Sequence, residues 1–361
     1  RSTLFPYTTL FRSLELANSC VVQCARVVRC VDLKGYVEMV GTDVRVAVLS
    51  EFDFLQRPYR IDLLSGLGYR FHQVREPRSR LAIKVRDVID HRTGYPVSRT
   101  ARSIASLRTA DLALALFEKE ALAFLRLRRK MAGRVFPPVV VIVCWLADEL
   151  ERMPAERARA RAAQYADADL MVVFSANQVD VLAGYGIDPK RVAVIPFGIA
   201  ADVFPKRDSW REPDGQVRVM TAGVDRGRDY ETLMAAVSRA AVSIDFYGKP
   251  ERVAQMEIPQ NVNFLGAVSF DEYSRAVRAA DVVAVPTHLM TYPSGQTVAL
   301  EAAASGAAVI LTRTPALEEY FSDDDVCFVE VGDVEGWVAA LDNLTQDAAP
   351  KIGRASCRER V

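Results

Sequence analysis

A loop followed by a helix with one carboxylate is the pattern in this sequence best suited to chemistry. Ser294 and Gly295 form a turn pair, and a helix rich in small residues is predicted from Gln296 and Thr297 onward. Glu301, the one charge inside that helix, lies two turns beyond Ser294 on the same face, roughly 10 Å along the axis. The free N–H groups of a helix N-terminus suit a phosphate. Because a carboxylate farther along can accept hydrogen bonds from a diol, the stretch has the outline of a nucleotide-sugar site.

A second loop, residues 222–230, carries cations directly after the predicted strand 217–221. Gly223 opens this loop, and Arg226 and Arg228 follow. Guanidinium groups at the end of a strand can hold a diphosphate through charge-assisted hydrogen bonds. We therefore expect at least one of the two arginines to bind phosphate. The alternative is that neither loop binds a ligand. The two arginines would then be solvated loop residues, and the Glu would be a solvated residue in an ordinary strand–helix unit of a parallel sheet.

Short apolar runs alternate with helical segments along the chain, which is typical of doubly wound parallel sheets. The predicted strands of the first half are residues 44–50, 69–74, 110–117, 139–145, 170–174 and 192–195. Those of the second half are residues 217–221, 242–247, 262–265, 282–285, 307–311 and 326–331. The sequence between residues 74 and 110 is basic and poorly patterned, and no element is predicted there. Capping-box sequence motifs, formed by Ser175 with Gln178 and by Ser269 with Glu272, predict the starts of two helices.

Proline and glycine recur in residues 197–216, and this composition predicts an interdomain linker. We expect one Rossmann-like domain over residues 44–196 and a second over residues 217–350. Residues 44–216 carry 28 basic against 21 acidic side chains, a net charge of +7. Residues 217–350 carry 9 against 20, a net charge of −11, so the two domains are expected to have different partners. Ligands of such sheets bind at the carboxyl ends of the strands.

The two ends of the chain differ from its body. Residues 1–13 and 351–361 resemble translated sequencing-adapter sequence, and we expect a non-native leader over residues 1–43 and a non-native tail over residues 351–361. Four of the six cysteines fall in these ends: Cys20, Cys24, Cys30 and Cys357. Neither a cysteine metal cluster nor a disulfide is therefore predicted. The longest apolar run, residues 135–147, is too short to span a membrane, and a reducing cytoplasm is the expected location.

Residues 291–321 resemble the donor-binding region of glycosyltransferase family 4, whose members have the GT-B fold. Glu301, Gly306 and Pro315 match the family's pattern of a Glu, a small-residue stretch ending in Gly, a strand and a turn that contains Pro. In the loop 222–230, Arg228 matches the family's Lys best, and Arg226 must serve for its Arg. Pro293 stands where the family has an earlier Glu near the transferred sugar.

The resemblance implies a GT-B protein whose two Rossmann-like domains face each other across a cleft, with the N-terminal domain on the acceptor side. It implies transfer of a sugar from a nucleoside-diphosphate sugar with retention at the anomeric carbon, and neither a cofactor nor a metal is expected. Arg226 and Arg228 would stabilise the leaving diphosphate and Glu301 would orient the ribose. The residues expected around the donor are Gly223, Ser294, Gly295, Gln296, Thr297 and Glu301.

Two other functions stay open because Pro293 replaces the first Glu: a GT-B protein that binds a nucleotide or nucleotide sugar without turnover, and a nucleotide-sugar epimerase. The acceptor, a carbohydrate or a lipid-linked molecule, is not identified by the sequence. Basic residues of the N-terminal domain suit peripheral contact with anionic lipid, with solvated helix faces as the alternative. They are Arg126, Arg128, Arg129, Lys130, Arg152, Arg157, Arg159 and Arg161. Nucleic acid is not an expected partner, because aromatic residues are not interleaved with these cations.

Overall fold

The computed structural model describes residues 44–50, 69–74, 79–131, 136–199, 202–206 and 217–346. The expectations about the adapter-like ends, about the cysteines within them and about most of the linker lie outside these residues. The chain divides into two compact units at the bond between Pro196 and Phe197.

The first unit is a six-stranded parallel sheet with helices between the strands. Its strands are β1 (Val44–Leu49), β2 (Tyr69–Gln73), β3 (Leu112–Leu116), β4 (Val139–Ile142), β5 (Leu170–Val173) and β6 (Val192–Val194). Its helices are α1 (Arg80–Thr93), α2 (Val97–Thr109), α3 (Glu118–Lys130), α4 (Leu146–Glu151), α5 (Ala155–Ala162) and α6 (Asn177–Gly184). The strands are ordered β2-β1-β3-β4-β5-β6. Every residue of β3 is buried, as expected for a parallel strand covered on both faces.

The second unit repeats this plan. Its strands are β7 (Val219–Ala222), β8 (Ile244–Tyr247), β9 (Val262–Gly266), β10 (Val282–Val285), β11 (Ala308–Thr312) and β12 (Cys327–Val329). Its helices are α7 (Tyr230–Val237), α8 (Phe270–Ala279), α9 (Gln296–Ser305), α10 (Pro315–Glu318) and α11 (Val334–Gln346). All strand pairs are parallel, in the order β12-β11-β10-β7-β8-β9. The chain therefore winds outward in both directions from the neighbouring strands β7 and β10. Such a point of reversal is where doubly wound sheets bind ligands.

The two parallel sheets with interleaved helices confirm the predicted fold class. The prediction that no helix or strand lies between residues 74 and 110 was wrong, because α1 and α2 lie there. Neither helix presents an apolar stripe to the core. The buried residues of α2 include Arg99, Thr100 and Ser103, and α1 has no buried residue at all.

The two capping-box predictions had different outcomes. At α8, Ser269 and Glu272 form the reciprocal pair of hydrogen bonds. At α6 the box does not form, because the Gln178 side chain is used elsewhere. Its Oε1 accepts from the Phe174 N–H and the Ser175 hydroxyl, each at 3.1 Å, and its Nε2 donates to the Cys144 carbonyl at 3.1 Å. Gln178 thus joins the ends of β4 and β5.

No helix in the described ranges is long and apolar enough to cross a membrane.

Candidate functional site

Two loops meet where the sheet of the second unit reverses its strand order. One loop follows β7 and the other follows β10. They run antiparallel for a short distance, with Arg228 bridged to Thr287. The backbone N–H of His288 donates to the Gly227 carbonyl at 2.8 Å, and that of Asp229 donates to the Pro286 carbonyl at 3.2 Å. The topology therefore brings the cationic loop and the start of α9 to the same place.

Arg228 is the central side chain of this junction. Its side chain is buried, with 7% of the residue exposed, and its Nε and Nη1 atoms have no hydrogen-bond partner among the residues that the structure describes. Burial of an unpaired polar group costs roughly 1–3 kcal/mol, and more when the group is charged. A guanidinium left in this condition is suited to an anionic ligand that supplies the acceptors.

Two glycines make room for the guanidinium. A Cβ atom on Gly223 would lie 2.6 Å from Arg228 Nε, and one on Gly295 would lie 2.8 Å from Nη1. Both glycines have positive φ angles, 149° for Gly223 and 92° for Gly295. The backbone conformation and the space both require glycine at these positions. The Arg228 guanidinium occupies the space beside Gly223, and at Gly295 it does so together with Val285, whose Cγ1 would lie 2.6 Å from an added Cβ.

Asp225 connects the two loops through hydrogen bonds to its carboxylate. Its Oδ1 accepts hydrogen bonds from the Tyr292 hydroxyl at 2.6 Å, the Ser294 hydroxyl at 2.7 Å and the Gly227 N–H at 2.9 Å. The Ser294 hydroxyl is therefore turned toward Asp225. Asp225 and Tyr292 were not among the predicted site residues. The position of Asp225 between Gly223 and Arg226 was the available signal, but a loop carboxylate beside cations gives no indication of its partners.

The helix α9 begins where it was predicted to begin, with Gly295 as its N-cap and Gln296 as its first residue. No side chain of the described residues makes a capping hydrogen bond there, and the first turn has no acidic residue. The Gln296 N–H bonds to the Pro293 carbonyl at 3.2 Å. Thr297, one residue farther along, is half-buried. The positive end of the helix is thus uncapped by side chains beside Arg228, and both features favour an anion.

Glu301 lies inside the second unit, with 3% of the residue exposed. Its Oε2 accepts a 2.5 Å hydrogen bond from the hydroxyl of Tyr273 on α8. Burial raises the pKa of Glu301 to about 7, and the hydrogen bond from Tyr273 opposes this rise. Burial also raises the pKa of Tyr273 well above its usual value, as does the charge of Glu301, whereas the positive charge of Arg228 lowers it. These electrostatic effects link Arg228, Tyr273 and Glu301; Tyr273 was missed from the sequence.

Arg226 lies on the exposed side of the same loop, so the structure places the two predicted arginines differently. Another member of the junction is His288, whose Nδ1 lies 3.6 Å from a carboxylate oxygen of the buried Asp229. Asp229 also caps α7 by accepting from the Thr232 N–H at 3.1 Å.

Two acidic side chains of the first unit, Asp167 and Asp169, have structural partners. Asp169 accepts from the Val139 N–H at 2.8 Å and pairs with Arg128, while Asp167 pairs with Arg129 at 2.5 Å. The two carboxylates of the Asp-Ala-Asp sequence at residues 167–169 are thus both held in ion pairs within the first unit. Within the described part of the chain, there is no group of three or more His, Cys, Asp or Glu residues that could hold a metal ion.

A family model matches the part of the chain that carries most of this site. Residues 226–347 match the family model described as "Glycosyl transferases group 1". Among curated proteins, an MMP alpha-(1->4)-mannosyltransferase from Mycolicibacterium hassiacum is 26% identical over 189 residues, which cover 49% of this chain and 45% of the relative. A D-inositol 3-phosphate glycosyltransferase from Stackebrandtia nassauensis is 27% identical over 213 residues, covering 51% and 47%. The chain therefore spans about half the length of these relatives.

Solved structures resemble most of the chain. A sucrose-phosphate synthase from Thermosynechococcus elongatus has a TM-score of 0.65 at 16% identity, covering 88% of this chain and 94% of that structure. HepE from Anabaena, in complex with UDP and glucose, has a TM-score of 0.59 at 14% identity, covering 88% and 86%. At these identities the likeness shows the fold, and together with the family match it confirms the resemblance read from the sequence.

Proposed function

We propose that this chain, which has the GT-B fold, is a glycosyltransferase that moves a sugar from a nucleoside-diphosphate sugar to an acceptor, with retention at the anomeric carbon. One observation carries the proposal: the buried Arg228 guanidinium has two unpaired nitrogens beside the uncapped N-terminus of α9. The family match over residues 226–347 supports the same reading. A curated relative is named a mannosyltransferase, and a neighbouring structure contains UDP and glucose.

The proposed chemistry uses fixed positive charge at the diphosphate. As the bond from the sugar to the phosphate breaks, negative charge grows on the leaving oxygen, and preorganised donors lower the barrier most when they face that charge. Arg228 and the N–H groups at the start of α9 would supply them from within the fold, and Arg226 would add charge from the exposed side of its loop. The leaving phosphate would take the acceptor's proton on the same face of the sugar, which retains the anomeric configuration. The expectation that no metal or cofactor takes part stays a prediction.

Glu301 and Tyr273 would recognise the nucleoside. A carboxylate accepts hydrogen bonds from both hydroxyls of a ribose diol, and Glu301 lies along α9 from the phosphate end. Its hydrogen bond from Tyr273 holds one oxygen in a fixed place. We place the ribose on this pair and the diphosphate on Arg228. The donor-binding roles of Gly223, Ser294, Gly295, Gln296 and Thr297 belong to the same proposal.

Pro293 favours a second candidate. It is buried at the position where the resembled family has its earlier Glu, and a proline cannot hydrogen-bond a sugar hydroxyl through its side chain. The site would then bind a nucleotide or nucleotide sugar without turnover. An epimerase on the same fold is the remaining alternative. The acceptor, carbohydrate or lipid-linked, is not assigned.

Donor turnover separates these candidates. Thermal shift with a panel of nucleotide sugars identifies the donor, and nucleotide release with and without acceptors then measures hydrolysis and transfer. Proton NMR of the product reports the anomeric configuration or a free epimer. We expect Arg228→Ala to abolish nucleotide release and Arg218→Ala to retain it, because Arg218 directly precedes β7 and so lies at the amino end of that strand, opposite the loops of the site. Binding without release by the unchanged protein would favour the second candidate, and absence of both would refute the proposal.

A further inference from the structure

The helix α1 turns its apolar residues outward. The exposed fraction is 73% for Leu81, 51% for Val85, 53% for Val88 and 39% for Ile89. At the helical repeat these four side chains share one face about 100° wide. We call this face the α1 stripe. Exposed single apolar residues are ordinary, but a contiguous group on one helix marks a surface that binds something.

The opposite face of α1 holds the helix to its unit through polar contacts. Asp90 accepts from the Ser98 N–H at 3.0 Å and from the Ser98 hydroxyl at 2.9 Å. Ile83, Arg86 and Asp90 are half-buried, whereas the stripe residues are exposed. An amphipathic helix that packs against its own core does the reverse. The orientation of α1 therefore fits a helix whose apolar side has a partner other than the described residues of its own unit.

The charges around the α1 stripe are positive. Arg80, Lys84 and Arg92 form no ion pair or hydrogen bond with another side chain of the described residues. The two acidic residues of the helix are already engaged, Asp87 with Arg86 at 2.7 Å and Asp90 with Ser98. On the helical repeat, Arg92 falls within the stripe and Lys84 beside it. An apolar face bordered by unpaired cations is complementary to a surface that is apolar inside and negatively charged outside.

We propose that α1 binds the surface of an anionic lipid bilayer, lying in the interface with the α1 stripe among the acyl chains and its cations at the headgroups. This surface differs from the basic residues that the sequence suggested. Several of those pair within the protein: Arg128 with Asp169, Arg129 with Asp167, and Arg152 with Asp148 at 2.9 Å. The inference goes beyond the proposed transferase activity and does not depend on it.

Cosedimentation of the full chain with lipid vesicles tests the proposal. We expect binding to vesicles of phosphatidylcholine mixed with phosphatidylglycerol, and much weaker binding to phosphatidylcholine alone. Val88→Asp should weaken binding at least tenfold, because it removes apolar area and adds a charge that the headgroups repel. Leu81→Ser, a milder change, should weaken it in the same direction. Lys84→Ala should weaken it about fivefold, with a loss that shrinks as salt rises.

Val331→Asp is the matched control, because Val331 is 41% exposed and belongs to the second unit. It should bind vesicles like the unchanged protein. Unfolding curves and UDP binding, measured on every variant, should not change, so that a folding defect or a failed donor site is recognised separately. The proposal is overturned if Val88→Asp and Leu81→Ser bind vesicles like the control, or if both vesicle types bind equally. It is also overturned if the unchanged chain is a dimer that Val88→Asp converts to a monomer, since a second copy would then cover the stripe.

Discussion

A Cβ atom added to Gly223 would lie 2.6 Å from Nε of Arg228. The backbone after β7 and the guanidinium that follows five residues later are thus in direct contact, and the contact fixes where the cation lies. The described part of the chain does not satisfy Arg228 there, since Nε and Nη1 lack hydrogen-bond partners in it. The fold holds a buried cation ready for a ligand, at a cost in stability that an anion would relieve.

Gly223→Ala should displace the guanidinium and weaken diphosphate binding. The far end of an arginine side chain moves more readily than backbone, so we expect the protein to fold with Arg228 in another place, at some cost in stability because alanine is strained at a φ of 149°. Affinity for UDP, or for the nucleoside diphosphate of whichever base is native, should fall about tenfold or more, the effect of losing one charge-assisted hydrogen bond. Affinity for uridine, or for the corresponding nucleoside, should stay unchanged. Calorimetry with both ligands measures this. Gly332→Ala is the control, because Gly332 has a φ of 72° and an added Cβ would meet nothing within 4 Å.

The two arginines of the loop should respond differently to salt. Arg228→Ala and Arg226→Ala should each weaken the diphosphate while sparing the nucleoside, by about ten- to a hundredfold for a charge-assisted hydrogen bond. Arg228 is buried and Arg226 is exposed, and salt screens exposed charges more strongly. The loss at Arg226 should therefore shrink as ionic strength rises, whereas the loss at Arg228 persists. Equal salt dependence in titrations of UDP would contradict this assignment.

Glu301→Gln should make the protein more stable above pH 7 and bind the nucleoside less well. The pKa of Glu301 rises from 4.5 to about 7 in the folded chain, so its ionisation opposes folding above pH 7 and has no such effect below pH 4.5. The difference corresponds to about 3 kcal/mol at most. Gln cannot ionise, and its melting temperature should exceed that of the unchanged protein by several degrees at pH 8 and match it near pH 4.5.

The same variant should bind uridine and UDP less tightly at pH 8, because an amide is a weaker acceptor than a carboxylate. Higher stability together with unchanged nucleoside affinity would show that Glu301 is buried for another reason. A group that costs stability is expected at a functional site.

The sequence predicted the framework of the second unit well, because its signals are local. Buried parallel strands read as short apolar runs, and Gly306 ends α9 with a left-handed φ of 79°, a conformation typical of glycine at a helix end. The capping box at Ser269 also formed. Such features depend on neighbours a few residues away, which a sequence shows directly.

Contacts between distant segments could not be read from the sequence in the same way. Asp225 meets Tyr292 and Ser294 across 67 and 69 residues, and Tyr273 meets Glu301 across 28. No periodicity connects these pairs; only the strand order brings their loops and helices together. The helix α1 was missed although its apolar residues Leu81, Val85, Val88 and Ile89 recur at the helical repeat, because the many charged residues between them masked that period.

Tyr273→Phe should move the pH dependence of nucleoside binding upward. If the ionised Glu301 accepts the ribose hydroxyls, affinity rises with pH as the carboxylate, with a pKa of about 7, loses its proton. The hydroxyl of Tyr273 donates to Oε2 and lowers that pKa, so removing it raises the pKa further. Uridine affinity should then fall at pH 7 and recover near pH 9, whereas in Glu301→Gln and in the double variant it should be flat with pH. Calorimetry across this range decides the matter: an unchanged midpoint in Tyr273→Phe would mean that Tyr273 only packs against α9.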